Sequence, residues 1–256
     1  MLVIVTRPRH DADRWVQALE ARGIEALALP LIDIAPATDP APLQAAWRRL
    51  ADYQALMFVS GNAVQHFHAA RPRDVPTPEP LPRSWATGPG TLAGLHQAGV
   101  PADSIDAPDI SAGQFDSEAL WAIVGPGVHA GSRVLIVRGG EPGGAGAGRN
   151  WFATQLEAAG AHVDFVVAYE RHPPRWTATQ QQQAEKAAED GSVWLLSSSE
   201  AVGHLTQRMP GAMLAKARAV ATHPRIAQAA REAGFGVVCE SRPTLDDVIA
   251  SIESLA

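Results

Sequence analysis

The chain has 256 residues, 46% of them hydrophobic and 19% charged, and this length predicts two globular domains that each bury a core. It contains no run of about 18 apolar residues that could span a membrane, and its net charge of −6 argues against a broad nucleic-acid-binding surface. Because the N-terminus has no signal-peptide pattern, we expect a cytoplasmic protein.

Short apolar strands alternate with helices along the whole chain, which predicts parallel, doubly wound α/β sheets. The strands are expected at residues 1–6, 27–36, 55–59, 84–86, 102–107, 133–137, 162–168, 193–196, 217–221 and 237–239. The helices are expected at residues 11–23 with a cap at Asp11 or its neighbour, at 43–50, through Val64 and Phe67, up to Gly99, at 115–124, 151–159 and 177–189, after Ser199, up to Gly234, and from Thr244 onward.

The cysteine and histidine content argues against disulfides and metal sites. The single cysteine, Cys239, excludes an internal disulfide framework, and its sequence context predicts a buried strand position. His66 and His68 are two residues apart and would lie on different faces of a helix, and no other histidines have a metal-ligand spacing. We therefore expect no metal.

Two proline-rich extended segments, residues 27–42 and 165–176, interrupt the alternation of strands and helices. Pro173 and Pro174 cannot donate hydrogen bonds to a sheet, so the strand before them must leave its sheet near His172. We interpret both segments as crossings between two lobes and expect the ligand site to lie between these lobes.

The chain also contains an internal repeat. Residues 3–7 resemble 134–138, residues 19–23 resemble 156–160, residues 60–64 resemble 198–202, and residues 86–99 resemble 221–234, all at offsets of 131–138 residues. Such agreement in order and spacing indicates two copies of one β/α unit.

Small polar residues follow several of the predicted strands, where ligands bind in parallel α/β sheets. The turns in question are Ser60-Gly61-Asn62, Thr87-Gly88, Ser197-Ser198-Ser199 and Thr222-His223. Each precedes a helix, whose unpaired N–H groups favour anions. The alternative explanation is that these residues only cap their helices.

Arg7 and Arg138 directly follow buried strands, and each could bind an anion or be an ordinary surface cation. The glycine-rich residues 140–148 lack the spacing of a nucleotide-binding loop and are interpreted as a flexible surface loop. No serine–histidine–acid pattern indicates a hydrolase.

An ordered set of motifs then resembles a known family, uroporphyrinogen-III synthase, over essentially the whole chain. The motifs are Val5-Thr-Arg-Pro8, Phe58-Val-Ser-Gly-Asn-Ala-Val64, Ala86-Thr-Gly-Pro-Gly-Thr91, Val137-Arg-Gly139, Val167-Ala-Tyr-Glu-Arg171, Leu196-Ser-Ser-Ser-Glu-Ala-Val202 and residues 219–234. Two features depart from the family pattern: the turn His223-Pro-Arg225, where a Gly-Pro-Thr type is common, and the glycine insert.

The resemblance implies a different domain division from the one that tandem copies suggest, which would place a boundary near residue 128. It implies two flavodoxin-like domains, one of residues 1–34 plus 173–256 and the other of residues 35–172. A hinge of two extended strands would join them and allow their relative motion.

The resemblance also implies an enzyme that closes hydroxymethylbilane, a linear tetrapyrrole with eight carboxylates, into uroporphyrinogen III. Ring D is inverted and water is lost, through an azafulvene and a spiro intermediate. This carbon–oxygen lyase of haem biosynthesis needs no cofactor and no metal. The expected protein is a cytoplasmic monomer that binds neither nucleic acid nor membrane and can receive its substrate from the preceding pathway enzyme.

The resemblance assigns roles to individual residues. Tyr169 is the candidate acid that assists departure of the hydroxyl, and its alternative role is a packed aromatic residue of the hinge. The candidate substrate-binding residues are Arg7, Pro8, Ser60, Gly61, Asn62, Thr87, Gly88, Arg138, Gly139, Ser197, Ser198, Ser199, Thr222 and His223. The alternative functions are a non-catalytic two-lobe binder of a small anion and a sugar-nucleotide transferase.

Overall fold

The structure is a computed structural model that describes residues 1–109, 117–142 and 151–255. Its strands are β1 (Val3–Val5), β2 (Ala26–Ala28), β3 (Asp33–Pro36), β4 (Ala55–Phe58), β5 (Arg83–Ala86), β6 (Ile105–Asp106), β7 (Arg133–Gly140), β8 (His162–His172), β9 (Val193–Leu196), β10 (Arg218–Ala221) and β11 (Val237–Glu240). Its helices are α1 (Arg9–Glu20), α2 (Ala41–Arg48), α3 (Gly61–Ala69), α4 (Pro89–Gln97), α5 (Ser117–Val124), α6 (Trp151–Ala158), α7 (Ala178–Glu189), α8 (Ser199–Arg208), α9 (Gly211–Leu214), α10 (Pro224–Glu232) and α11 (Leu245–Glu253).

The chain divides into two compact units. Unit 1 comprises Met1–Ile34 and His172–Ala256, and unit 2 comprises Ala35–Arg171. The second boundary lies one residue before the one that the sequence resemblance implies, and neither boundary is near residue 128. No helix in the described ranges is both long enough and apolar enough to span a membrane.

Unit 1 contains a five-stranded sheet in the order β2-β1-β9-β10-β11, with all neighbouring strands parallel. Numbered within the unit, this is the order 2-1-3-4-5 of flavodoxin-like folds. The core lies on both faces of the sheet because successive strand residues point to opposite sides. Ile4 and Trp194 pack with helices α7 to α10, whereas Val5 and Leu195 pack with α1 and α11.

Unit 2 contains a six-stranded sheet in the order β3-β8-β7-β4-β5-β6, and the pairs from β8 to β6 are parallel. Met57, Trp85 and Ile136 pack on one face with α5 and α6. On the other face Phe58 packs edge to face against Phe67 of α3, with 5.6 Å between ring centroids. The prediction of parallel, doubly wound α/β sheets is therefore confirmed.

The two sheets have the same spatial order once the repeat is taken into account. In the repeat, β1 and β2 correspond to β7 and β8, and β9 to β11 correspond to β4 to β6. The order β8-β7-β4-β5-β6 is thus again 2-1-3-4-5, with the first β-α-β element placed last in the chain. Unit 1 thus combines β1 and β2 of the first copy with β9 to β11 of the second copy. Unit 2 combines β7 and β8 of the second copy with β4 to β6 of the first copy.

The proline-rich segments are hydrogen-bonded to each other within each unit. In unit 1 the Arg175 N–H donates to Asp33 Oδ2 at 3.1 Å, and Trp176 Nε1 donates to the Pro30 carbonyl at 3.0 Å. In unit 2 the N–H and hydroxyl of Thr38 donate to the two carboxylate oxygens of Glu170 at 3.1 and 3.0 Å. The strands β3 and β8 are neighbours in the sheet. The chain passes from unit 1 to unit 2 within β3 and back to unit 1 within β8.

Several local predictions are wrong. Asp11 does not cap α1, because the helix begins at Arg9 after Pro8 and places Asp11 in its first turn. Residues 102–104 form a 3-10 turn rather than a strand, and the short helix α9 was not anticipated. Cys239 is half-buried rather than buried, since its strand β11 lies at the edge of the sheet.

The strand β7 continues beyond its predicted end to Gly140, with a register irregularity at Arg138/Gly139. The strand β8 ends at His172, where Pro173 and Pro174 predict its end. Of the predicted glycine loop, residues 143–148 lie outside the described residues, as do residues 115 and 116 of the predicted helix at 115–124.

Candidate functional site

The predicted polar turns lie at the carboxyl ends of the parallel strands in both units. In unit 2, Ser60 follows β4 and caps α3, since its Oγ accepts a hydrogen bond from the Ala63 N–H at 3.1 Å. Thr87 and Gly88 follow the adjacent strand β5, and Gly88 precedes α4 with no side-chain cap. Asn62 lies in the first turn of α3. The turns thus place the amino ends of two helices beside each other.

A close contact between glycines sets the spacing of these two helices. A Cβ atom on Gly61 would lie 2.9 Å from the carbonyl oxygen of Gly90, and one on Gly94 would lie 3.3 Å from the Cα of Gly61. Larger residues would push α3 and α4 apart. The first turns of α3 and α4 therefore lie close together in unit 2, at helix amino ends that favour anions.

Tyr169 lies in β8, pairs with Gly139 of β7, and is 5% exposed. Its hydroxyl lies 3.1 Å from the Ser60 Oγ, at hydrogen-bond distance. A Cβ atom on Gly139 would lie 2.5 Å from the Tyr169 Cζ, so the glycine makes room for the phenol ring. The sequence prediction placed Tyr169 and Ser60 in different motifs, and the structure brings them together.

His66 of α3 lies next to Tyr169, with 5.8 Å between the ring centroids. Burial lowers the pKa of His66, which favours the neutral imidazole near neutral pH. The surroundings of the Tyr169 ring are therefore aromatic and uncharged on this side.

Arg138 stacks its guanidinium on the ring of Phe165, with 4.3 Å between the guanidinium carbon and the ring centroid. Its Nε is buried and has no hydrogen-bond partner in the part of the chain that the structure describes. Burial lowers the pKa of Arg138, and the positive charge of Arg171 lowers it further. Arg171 is close by, because its Nη1 lies 2.6 Å from the position of a Cβ on Gly139.

Arg7 occupies the equivalent position in unit 1, two residues after the end of β1. Its guanidinium carbon lies 4.5 Å from the centroid of the Trp15 ring, and its Nε is also buried without a partner among the described residues. Burial lowers the pKa of Arg7 to about 10, the charge of Asp11 opposes this shift, and the charge of Arg14 adds to it. Pro8, the next residue, directly precedes helix α1.

The remaining unit 1 residues follow β9 and β10. Ser198 caps α8 through a hydrogen bond from the Ala201 N–H at 3.4 Å, and Ser197 and Ser199 lie on either side of it. Thr222 is buried, and its hydroxyl donates to the Leu196 carbonyl at 3.4 Å. The Ser198 oxygen and the Thr222 hydroxyl thus make contacts within the protein, and the backbone N–H groups at the amino end of α8 are further donors for a ligand.

The unusual turn at His223 has a structural explanation. The His223 Nδ1 accepts a hydrogen bond from the Arg225 N–H at 3.1 Å and caps α10. The imidazole thus takes the capping role that a serine or threonine has in the other turns.

The structure gathers all predicted site residues at the carboxyl ends of the two sheets, those of each unit within that unit. Sequence reasoning missed the aromatic partners Trp15 and Phe165 and the cation Arg171. Only their proximity in space identifies them, because no motif spacing relates them to Arg7 or Arg138. In the described ranges no group of three or more His, Cys, Asp or Glu side chains could hold a metal ion.

Comparisons with known proteins agree on one family. Residues 13–250 match the family model described as uroporphyrinogen-III synthase HemD. A uroporphyrinogen-III synthase of Chlorobaculum parvum is 31% identical over 143 residues, which cover 54% of this chain and 52% of that protein. The chain therefore spans about half the length of the curated relative it matches.

Solved structures show the same fold. Uroporphyrinogen-III synthetase from Helicobacter pylori is 18% identical with a TM-score of 0.62, and the match covers 100% of both chains. A mutant uroporphyrinogen III synthase from Thermus thermophilus is 17% identical with a TM-score of 0.57, and the match covers 100% of this chain and 98% of that one. With the family model matched from residue 13 to residue 250, the chain belongs to the uroporphyrinogen-III synthase family.

Proposed function

We propose that this protein is a uroporphyrinogen-III synthase, a cofactor-independent lyase that closes hydroxymethylbilane with inversion of ring D and loss of water. The observation that carries this proposal is the family match over residues 13–250. We also expect, from the family resemblance, a cytoplasmic monomer that can receive its substrate from the preceding enzyme of the pathway.

The strand-end turns suit a substrate with eight carboxylates. Helix amino ends carry a partial positive charge and free N–H donors, and both units present them at the carboxyl ends of their sheets. Because the substrate closes unaided to the wrong isomer, the enzyme must above all control its conformation. Fixed backbone donors on rigid helices provide such control without covalent chemistry.

We propose Tyr169 as the acid that assists departure of the hydroxyl. Its phenol contacts the Ser60 hydroxyl, which already accepts from the Ala63 N–H. With its oxygen accepting from Ala63, the serine can donate its own proton to the phenol oxygen, which leaves the Tyr169 proton for the departing hydroxyl. Loss of the hydroxyl as water leaves the azafulvene electrophile, which ring D then attacks.

We propose that units 1 and 2 act as two domains joined by a hinge. The support is that the chain passes from unit 1 to unit 2 within β3, between Ile34 and Ala35, and returns within β8, between Arg171 and His172. Extended connectors can change their backbone angles with little disturbance of a core.

Incubation with hydroxymethylbilane, followed by oxidation and chromatography of the porphyrin isomers, tests the proposal. A synthase yields isomer III well above the spontaneous isomer I. A non-catalytic anion binder or a sugar-nucleotide transferase leaves only isomer I, and this outcome would refute the proposed function.

A further inference from the structure

Arg7 and Arg138 are equivalent residues of the internal repeat, and they share three structural features. Each lies at the carboxyl end of the first strand of its repeat copy, Arg7 two residues after β1 and Arg138 within the last residues of β7, and each stacks on an aromatic ring, Trp15 or Phe165. Each has a buried Nε–H with no hydrogen-bond partner among the described residues. Arg14 also has a buried Nε without a partner among these residues, but its guanidinium pairs with Asp11, and only Arg7 and Arg138 occupy equivalent places in the two repeat copies.

An unpaired buried donor is unfavourable, and native proteins retain few of them without a functional reason. A ring that holds the guanidinium by its face leaves the edge with Nε and the terminal nitrogens for a planar anion. Each arginine is half-buried as a whole residue while its Nε is buried, so a carboxylate first meets the terminal nitrogens and reaches Nε when the guanidinium turns toward it. A carboxylate bound side-on accepts one hydrogen bond from Nε and one from a terminal nitrogen, which satisfies the unpaired donor.

From this geometry we propose that Arg7 and Arg138 form two matched carboxylate-binding sites, one in each unit, and that the Arg138 site is the stronger. This inference rests on the proposed function, because it assigns the two sites to carboxylates of the tetrapyrrole. It adds side-chain recognition to the backbone recognition at the helix amino ends.

The difference in strength follows from the charges around each arginine. Arg171 lies near Arg138 and adds positive charge, so an anion is attracted by both. Arg7 has a mixed environment, since the carboxylate of Asp11 lies near it and forms an ion pair with Arg14. The anion at Arg7 is therefore repelled by Asp11, and this site should be weaker.

Equilibrium binding of uroporphyrin, an octacarboxylate that undergoes no ring closure, tests this inference without a need for turnover. The variants are Arg7→Gln, Arg7→Lys, Arg138→Gln and Arg138→Lys. Arg22→Gln and Arg48→Gln are controls for net charge, since both arginines are exposed and pair with surface carboxylates of Asp246 and Asp74. Tryptophan fluorescence quenching gives the Kd, and thermal melting verifies that each variant is folded.

We expect Arg138→Gln to weaken uroporphyrin binding by roughly ten-fold or more and Arg7→Gln by roughly three-fold, with the controls close to the original protein. The lysine variants should recover only part of the loss, because an ammonium group lacks the two-pronged geometry. Folded glutamine variants that bind as tightly as the controls would overturn the proposal. Full recovery by lysine would overturn side-on binding, and a larger loss at Arg7 would overturn the ranking.

This experiment separates the inference from the proposed function. If the protein forms no isomer III but its porphyrin binding depends on the two arginines, the proposed reaction fails and the two carboxylate sites stand. If it forms isomer III while the glutamine variants bind normally, the reaction stands and the sites fail.

Discussion

The phenol of Tyr169 offers the sharpest test at the scale of single residues. Tyr169→Phe keeps the ring that fills the space beside Gly139 and removes only the hydroxyl that contacts Ser60. We expect turnover of hydroxymethylbilane to fall by about ten- to a thousand-fold, which corresponds to about 1.4–4 kcal/mol, because acid assistance is lost while positioning remains. Stopped-flow or quenched assays of product formation measure this.

The other tyrosine of the chain is a matched control. Tyr53 donates a hydrogen bond to Asp164 at 2.9 Å near the amino end of the sheet, and burial followed by this hydrogen bond raises its pKa to about 12. Tyr53→Phe should therefore reduce stability and leave turnover unchanged. Wild-type turnover in Tyr169→Phe would remove that residue from the chemistry, and a shift toward isomer I would assign it to the guidance of ring D.

Thr87 tests whether backbone or side-chain groups bind the substrate. It lies at the amino end of α4, and the same turn contains Gly88. Thr87→Leu should raise KM or lower turnover more than Thr87→Ala, because a bulky side chain blocks access to the N–H groups. Steady-state kinetics with melting temperatures compare the two variants.

Equal damage by alanine and leucine, with unchanged melting temperature, would show that the threonine hydroxyl itself binds the substrate. Thr87 is a better choice than Ser198 for this comparison. The Ser198 Oγ caps α8, so its replacement by alanine removes a cap that is typically worth about 1 kcal/mol and confounds the kinetics.

At the scale of secondary-structure elements, we expect an aromatic cluster at the end of α3 to make the stability of the folded protein depend on pH. His68 stacks near Phe58 and meets Trp47 edge to face, with 6.2 and 5.6 Å between centroids. Burial lowers the pKa of His68, and the charge of Arg71 lowers it further; burial alone lowers that of His66. Protonation of these rings is therefore unfavourable in the folded state.

The sign of the pH effect follows from linkage. A histidine with a depressed pKa in the folded state binds fewer protons there than in the unfolded chain. Its contribution to the free energy of unfolding is therefore fully present above about pH 6.5, the ordinary histidine pKa, and is lost as the pH falls below that value. We expect the free energy of unfolding to fall from pH 7.5 to 5.5, by at most about 1.4 kcal/mol per pH unit for each histidine. Urea unfolding at several pH values measures this, and His68→Gln should flatten the slope.

Much of the element pattern could be predicted, and the exceptions have physical causes. Strands such as β4 and β9 are short and wholly apolar, and Ser60, Ser198 and Thr244 cap the helices that follow their turns. The end of β8 at His172 could be predicted from Pro173 and Pro174, whereas β7 runs on to Gly140 because its pairing with β8 continues after the apolar run has ended. Likewise, the partners of Arg7 and Arg138 depend on tertiary packing, which no local pattern encodes.

At the scale of the whole molecule, the exchange of elements between the two repeat copies determines which fragments can fold. Residues 35–171 contain the sheet β8-β7-β4-β5-β6 in one continuous segment. Residues 1–128 contain one complete repeat copy but lack β7, which lies between β8 and β4. We expect the first fragment to unfold cooperatively on heating and the second to show no cooperative transition in circular dichroism. The opposite result would mean that the repeat copies are themselves the folding units.

The discontinuity of unit 1 also affects the order in which a growing chain can fold. The strand β1 is fully buried between β2 and β9, but about 160 residues separate the end of the first segment from β9. At about 5–20 residues per second, roughly 8–30 s pass on the ribosome before β9 is made. Unit 2 can complete its sheet during this interval, while Val3, Ile4 and Val5 still lack β9, the strand that pairs with them. This exposed apolar segment is the part of the nascent chain that a ribosome-associated chaperone would be expected to protect.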